Sequence, residues 1–417
     1  MRRSCPACIL LLWTIVHSLQ LSAQPVKLYL NPATAGAAPQ SNFVEITSFI
    51  PVSSPDQKIA GAVSIIPTAN YLVLYDYNNK QLFFLSKEAR FIKKLDIKKY
   101  GDAEIIYDNK KEVLKFNLRN KHYILTNTDL EKIRAKPTLK ANQKYFKNYE
   151  IDLKNSSLII QKTATDPYFI GNANWFYDDY YYRSNLASAG NAKDTLGYEL
   201  EILKENKPVR RYFPFNRKGK TVFQYAAANA EMQLQLGSSD ARGVAYTSRP
   251  FLPYIYRLDK DTILPLYEIV LPVEHVMPAE RLKSGFSSKA DWQTFQTKHA
   301  GVMRSLENIS NTDKYLFFSI SSMRNYESYV YDKSAAKFYK TKMIKADSTQ
   351  FNIQLLNWGL GKGSDKFYYS VVPAKELVEF YKKNKGKSIS YPAALEKYLL
   401  KADNDANPVI IQYKLKD

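Results

Sequence analysis

From Asn42 onward the chain alternates apolar, β-branched and aromatic runs with short polar turns. The clearest unit is YLVLYDYNNKQLFFLSKEARFIKKLDI (71–97). Leu72, Leu74 and the flanking aromatics make a strand, and Asn78-Asn79-Lys80 supplies turn chemistry. Gln81 to Leu85 return, and Ser86 to Ala89 turn the chain again. Comparable hairpins fall at 121–135, 198–215, 253–272 and 327–344, followed by an unpaired final strand at 408–416. The markers Tyr75, Tyr123, Leu200, Tyr256, Tyr331 and Tyr413 stand 48, 77, 56, 75 and 82 residues apart. A fixed β unit recurring with variable insertions predicts a β-propeller with enlarged loops.

Six blades over residues 41–417 allow about 63 residues each, against about 40–45 for a compact blade, so loops carry the surplus. A further hairpin, NYEIDLKNSSLIIQK (148–162), belongs to the second or third blade. Asn42 to Val52 and Val409 to Lys416 are lone strands at opposite ends of the chain. Joined in one blade, they close the ring and remove the open edges of a linear sheet. Two stretches depart from the β pattern. Residues 277–308 predict a long loop with a short helix. Residues 373–402 predict two helices: Pro373 starts one with Leu377, Phe380 and Tyr381 on its apolar stripe, and Pro392 starts the other. This pair is a helical insertion in the last blade of an all-β, six-bladed fold.

Residues 1–23 change the picture of compartment. Arg2 and Arg3 precede an apolar run from Ile9 to Val16, and Leu21-Ser22-Ala23 is a small-residue cleavage site. That arrangement is a secretory signal peptide, with cleavage expected after Ala23. The Pro/Ala-rich stretch 24–40 then reads as a linker. Both cysteines, Cys5 and Cys8, lie in the leader, which excludes disulfides, thiol nucleophiles and Cys-bound metals from the mature chain. The 60 basic and 40 acidic residues give +20; without Arg2 and Arg3 the counts are 58 and 40, or +18. The lysines are dispersed in short clusters such as Lys93-Lys94 and Lys110-Lys111. A nucleic-acid binder usually concentrates its charge in one patch, so no nucleic-acid partner is expected. The expected location is the periplasm or cell surface, with no membrane span and a monomeric chain. Lysine-rich strands and a Lys-Leu-Lys-Asp terminus argue against an outer-membrane barrel.

The hairpin Tyr71 to Ile97, the segment Tyr254-Ile255-Tyr256-Arg257-Leu258 ending in Ile269-Val270-Leu271-Pro272, and the opening Asn407-Pro408-Val409-Ile410-Ile411 together resemble a known family. These are the exported six-bladed β-propeller proteins of Bacteroides-like bacteria. The resemblance spans residues 41–417 and implies fold and export, with no particular activity. The chain departs from the family at Tyr100-Gly101-Asp102-Ala103-Glu104, where members often carry a Gly-Pro-Gly-Glu-type turn.

Candidate chemistry centres on Asn174-Trp175-Phe176-Tyr177-Asp178-Asp179-Tyr180-Tyr181-Tyr182-Arg183. Aromatic faces stack on sugar rings, and neighbouring charged groups orient polar substituents. Read as one strand, alternation sends Trp175, Tyr177, Asp179 and Tyr181 one way and their neighbours the other. The competing reading is that these rings fill the space between blades. With Arg242 in Gly237–Gly243 and Arg324 in Ser322–Tyr326, the expected ligand contacts are Trp175, Tyr177, Asp179, Arg183, Arg242 and Arg324. The expected partner is a glycan, a peptide or an envelope protein. The alternative is a glycan hydrolase or lyase with carboxylates from different blades. Asp178 and Asp179 cannot form that dyad alone, because adjacent strand residues point apart.

No catalytic residue, metal ligand or cofactor is assigned. His122, His275 and His299 show no ligand spacing and read as surface or loop histidines. Ser334-Ala335-Ala336-Lys337 matches a nucleophile motif but sits in a hairpin turn without its companion motifs. Asn357-Trp358-Gly359-Leu360-Gly361-Lys362-Gly363 fails as a phosphate loop, since Gly363 follows the lysine where Ser or Thr is required. Asp403-Asn404-Asp405 fails as a calcium loop, with Pro408 in place of the sharp-turn glycine.

Overall fold

The hairpins share one local device. An aspartate ending a strand folds its carboxylate back onto the turn amides. Asp76 Oδ1 accepts from Asn78 and Asn79 at 2.9 Å, and Asp332 Oδ1 from Ser334 and Ala335 at 2.9 and 3.0 Å. Asp108 Oδ1 accepts from Lys111 at 3.1 Å. Lys80, Glu112 and Ala336 then take left-handed conformations, with φ of 52°, 56° and 48°. These turns hold the strand register, which in turn decides which side chains face the core. Ser334 to Lys337 is thus turn chemistry, as the sequence indicated.

In a computed structural model the described residues are 24–53, 58–59, 63–98, 103–108, 111–119, 145–163, 174–177, 180–184, 196–204, 207–216, 235–239, 245–356, 361–364, 366–387 and 389–416. They form six small antiparallel sheets in a ring, a six-bladed β-propeller. From the axis outward, blade one runs Val63–Pro67, Leu72–Asp76, Gln81–Leu85, Phe91–Asp96. Blade two runs Ala103–Asp108, Val113–Arg119, Phe146–Asp152, Ile160–Thr163, which places the 148–162 hairpin in the second blade. Blade three runs Asn174–Tyr177, Tyr180–Ser184, Leu196–Lys204, Lys207–Asn216. Blade four runs Gln235–Ser239, Ala245–Ser248, Tyr254–Asp259, Thr262–Val270, and blade five Met303–Asn311, Tyr315–Ser322, Tyr326–Asp332, Lys337–Lys345. Blade six takes Lys362–Ser364, Phe367–Val372 and Val409–Leu415 from the C-terminal part and its outer strand, Val44–Pro51, from the N-terminal part. The ring is closed as the two lone strands predicted. The hairpin expected at 121–135 lies outside the described residues.

Residues 24–40 are a correction. Val26–Tyr29 pairs in parallel with Thr262–Val270 as a fifth strand of blade four, and Gly36–Pro39 pairs in parallel with Lys337–Lys345 in blade five. With Val44–Pro51 on blade six, one continuous stretch caps three successive outer edges. Its Pro/Ala composition suggested a linker because an edge strand in these positions needs few side-chain contacts, only backbone groups. Two anchors hold it: Leu28 and Leu30 are buried, and so is Gln40. Gln40 donates to Gln350 Oε1 and the Ile353 carbonyl and accepts from the Leu355 amide at 2.7 Å.

The aromatic surplus goes into the seams between blades. Five apolar clusters each join neighbours: six with five, four with five, six with one, one with two, and three with four. Among the described residues no such cluster joins blades two and three. Leu114 and Phe116 face blade one, so strand alternation turns Lys115 toward blade three. There Lys115 pairs with Asp108 at 3.1 Å, both about nine-tenths buried, and buried Asn148 has no hydrogen-bond partner for either amide atom.

The helices are α1 (Ala279–Ser284), α2 (Lys289–Lys298), α3 (Ala374–Lys383) and α4 (Ala393–Leu399). The last two are the predicted pair. The 277–308 stretch differs from expectation: it holds two helices, and from Met303 it is the innermost strand of blade five.

Candidate functional site

Antiparallel blades put the connectors after first and third strands at one end of the ring, and those after second and fourth strands at the other. The first end is plain, with connectors running from two residues (178–179) to seven (153–159). The second end is elaborated. Among the described residues it carries 271–302 with α1 and α2, and 373–408 with α3 and α4. The loop surplus inferred from blade length is therefore gathered on one face, the arrangement by which a rigid scaffold presents a binding surface.

On that face α1 and α2 form a small apolar body. Phe251, Met277, Phe286, Trp292, Phe295, Val302 and Met323 pack together, tying the 271–302 connector to the adjoining turns of blades four and five. Ser288 caps α2 by accepting from the Asp291 amide at 3.1 Å. Arg281 lies over the Phe286 ring at 4.8 Å and pairs with Asp291 at 3.0 Å. Beneath this body, between blades four and five, is a cavity of about 60 Å³. Leu271, Met303 and Ile320 give it an apolar floor. Its polar wall is Ser322, Asn325, Glu327 and Tyr329, with His275, Gly301 and Pro32 completing it. His275 Nδ1 donates to the Gly301 carbonyl at 2.9 Å. A Cβ at residue 301 would stand 3.0 Å from that nitrogen, so the imidazole would have to give by a few tenths of an ångström.

Glu327 is the charged centre of the wall. Its Oε1 accepts from Lys340 at 2.7 Å and Lys342 at 2.8 Å, and its Oε2 from the Tyr329 hydroxyl at 2.7 Å. Burial opposes ionisation, but these three hydrogen bonds and the Lys340 charge outweigh it and hold the carboxyl at about 2. Burial, reinforced by the Glu327 carboxylate, raises the Tyr329 hydroxyl well above its ordinary value. The wall thus carries a fixed carboxylate and a phenol that stays protonated. No group of three or more His, Cys, Asp or Glu side chains suited to a metal occurs among the described residues.

Of the six residues read as ligand contacts, the four whose backbones are described do not share one end of the ring. Trp175 pairs with Tyr182 and Tyr177 with Tyr180, so the chain reverses at 178–179 where one continuous strand was expected. Pairing sets Tyr180 opposite Tyr177, Tyr182 opposite Trp175 and Arg183 opposite Asn174. Tyr182 is fully buried in the seam with blade four, and its hydroxyl donates to the Lys260 carbonyl at 2.5 Å. Tyr177 is at the plain end, whereas Arg183 and Arg324 are at the elaborated end. Arg324 is exposed and donates from Nη2 to Thr297 Oγ1 of α2 at 2.8 Å. Asp179 and Arg242 lie outside the described residues, as does His122.

The cavity went unread in the sequence. His275 looked like an ordinary loop histidine, and Glu327 like one charge in a hairpin. The hairpin itself was legible, but the meeting of Glu327 with Lys340 and Lys342 depends on pairing register, with Tyr329 opposite Lys340.

No family model matches the chain. No curated protein matches it significantly. Among solved structures, it is similar to a Bacteroides fragilis protein assigned to the exported class, at 13% identity and a TM-score of 0.57. That alignment covers 94% of this chain and 100% of the other. The likeness bears on the fold, and it agrees with a six-bladed ring. Acylaminoacyl peptidase from Pyrococcus horikoshii aligns at 9% identity over 67% of this chain and 39% of its own, with a TM-score of 0.26, a likeness too slight to carry an argument.

Proposed function

We propose that this protein is an exported binding or scaffolding module that engages a glycan, peptide or envelope partner through its elaborated face. The observation that carries this reading is the asymmetry of the described connectors: the long ones, 271–302 and 373–408, lie at one end of the ring with two helical bodies and the cavity. Export rests on the leader-like residues 1–23 and on the exported assignment of the Bacteroides fragilis structure; the periplasm or cell surface is the compartment this implies. Arg183 and Arg324 are the sequence-derived contacts kept for this face. Tyr180 and Tyr182 are assigned to packing against blade four.

The test is a glycan and peptide array probed with residues 24–417. Val273, 86% exposed on the same connector as α1, marks the face together with Arg324. The double variant Val273→Glu, Arg324→Glu is expected to lose at least tenfold in binding, while Ala335→Arg on the plain face binds as the parent does. Equal binding by all three proteins would remove the assignment of this face.

A further inference from the structure

We infer that the cavity between blades four and five is a subsite for the acetamido group of an N-acetylated sugar. This rests on the proposed binding face and names what one part of it recognises. At about 60 Å³ the cavity is far smaller than the roughly 300–1,000 Å³ of a whole-ligand pocket, so it admits a terminal group only. Its floor of Leu271, Met303 and Ile320 suits a methyl group. Its wall then demands a hydrogen-bond donor, for a reason that can be counted. Each carboxylate oxygen accepts about two hydrogen bonds. Among the described residues, Glu327 Oε1 accepts from Lys340 and Lys342, whereas Oε2 accepts from Tyr329 alone and keeps one position.

Charge narrows the choice. An anion in the cavity would meet the Glu327 carboxylate, and a cation would find that carboxylate already bonded by Lys340 and Lys342. A neutral donor beside a methyl group is what a secondary acetamide presents. Its N–H reaches Oε2, its methyl takes the floor, and its carbonyl turns to the exposed Asn325 amide at the rim. A sugar delivers this group end-on. A peptide chain would have to pass on both sides of its own amide, which a space of about 60 Å³ does not hold.

The test is ligand-observed saturation-transfer NMR and calorimetry on residues 24–417 with N-acetylglucosamine, N-acetylgalactosamine, glucose and glucosamine. The N-acetylated sugars are expected to bind at least tenfold more tightly than the others, with their methyl protons most strongly saturated. Ile320→Phe, which fills the floor, abolishes that preference. Asn325→Ala, on an exposed turn, weakens it severalfold and serves if the buried variant misfolds. Equal binding of glucose and N-acetylglucosamine, or a preference untouched by Asn325→Ala, overturns the subsite. Array binding that responds to Val273→Glu, Arg324→Glu but ignores acetamido groups, or that selects peptides, also overturns the subsite while leaving the proposed face standing. Array binding that the face variant leaves unchanged removes the face itself.

Discussion

Glu327 carries two roles that a single charge in a sequence does not announce. Its carboxyl is held at about 2 against an ordinary value of 4.5, by hydrogen bonds from Lys340, Lys342 and Tyr329 that overcome burial. A carboxyl depressed in the folded state stabilises fully above its unfolded value and loses that contribution as pH falls through the folded one. The stability difference between the parent and Glu327→Gln, read from urea unfolding, is therefore expected to be constant above about pH 5. It should shrink steadily from about pH 4.5 to pH 2. A difference that is flat across that interval would show that the three donors do not set the carboxyl's titration. The same residue shows why the site was only half legible: the hairpin followed from alternation and turn residues, but no local rule says which lysine of four on the return strand meets Glu327.

At the scale of the element, the basic excess acquires a physical place. Outer strands invite edge-to-edge pairing unless they are covered, charged or interrupted by proline. In blades one to three no described strand pairs with them, and they carry Lys93 and Lys94, Lys162, and Lys207, Arg210 and Arg211 with Pro208 and Pro214. Blade four differs. Its outer strand reads TILPLYEIV, with one charge, and Val26–Tyr29 covers it. Deleting residues 24–34 uncovers that edge and removes Leu28 and Leu30, which are 4% and 1% exposed. Losing buried leucines costs about 2 kcal/mol or more each. The truncated chain is expected to melt several degrees lower by circular dichroism and to form higher oligomers in light scattering as concentration rises. A truncated chain that stays monomeric with an unchanged midpoint would deny the segment its role as an edge cap.

At the scale of the whole molecule, the described residues of the seams differ in character. Apolar clusters join five pairs of neighbouring blades, while the described residues of blade two turn Lys115, Asp108 and Asn148 toward blade three. A buried amide without partners costs about 1–3 kcal/mol. Asn148→Val, which suits a strand, is accordingly expected to raise stability by about 1 kcal/mol. Urea unfolding monitored by fluorescence measures this, and a destabilised variant would mean that the amide is satisfied in solution. Native-state hydrogen exchange should likewise open the strands beside this seam before those beside the five apolar ones.

What local sequence determined is what depends on near neighbours. Period-two patterning and aspartate-led turns specified the hairpins, proline and apolar stripes specified α3 and α4, and lone strands at the two ends specified how the ring closes. Tertiary structure alone decided the rest. Residues 24–40 contribute backbone hydrogen bonds, which composition does not display, so a capping segment looked like a linker. The reversal between Tyr177 and Tyr180 sets Arg183 opposite Asn174, a partnership that alternation along one strand does not display. The cavity joins Pro32, His275, Asn325 and Glu327, residues set side by side only when two blades and the N-terminal segment come together. Contact across blades is a property of the closed ring, and no stretch of the chain carries it alone.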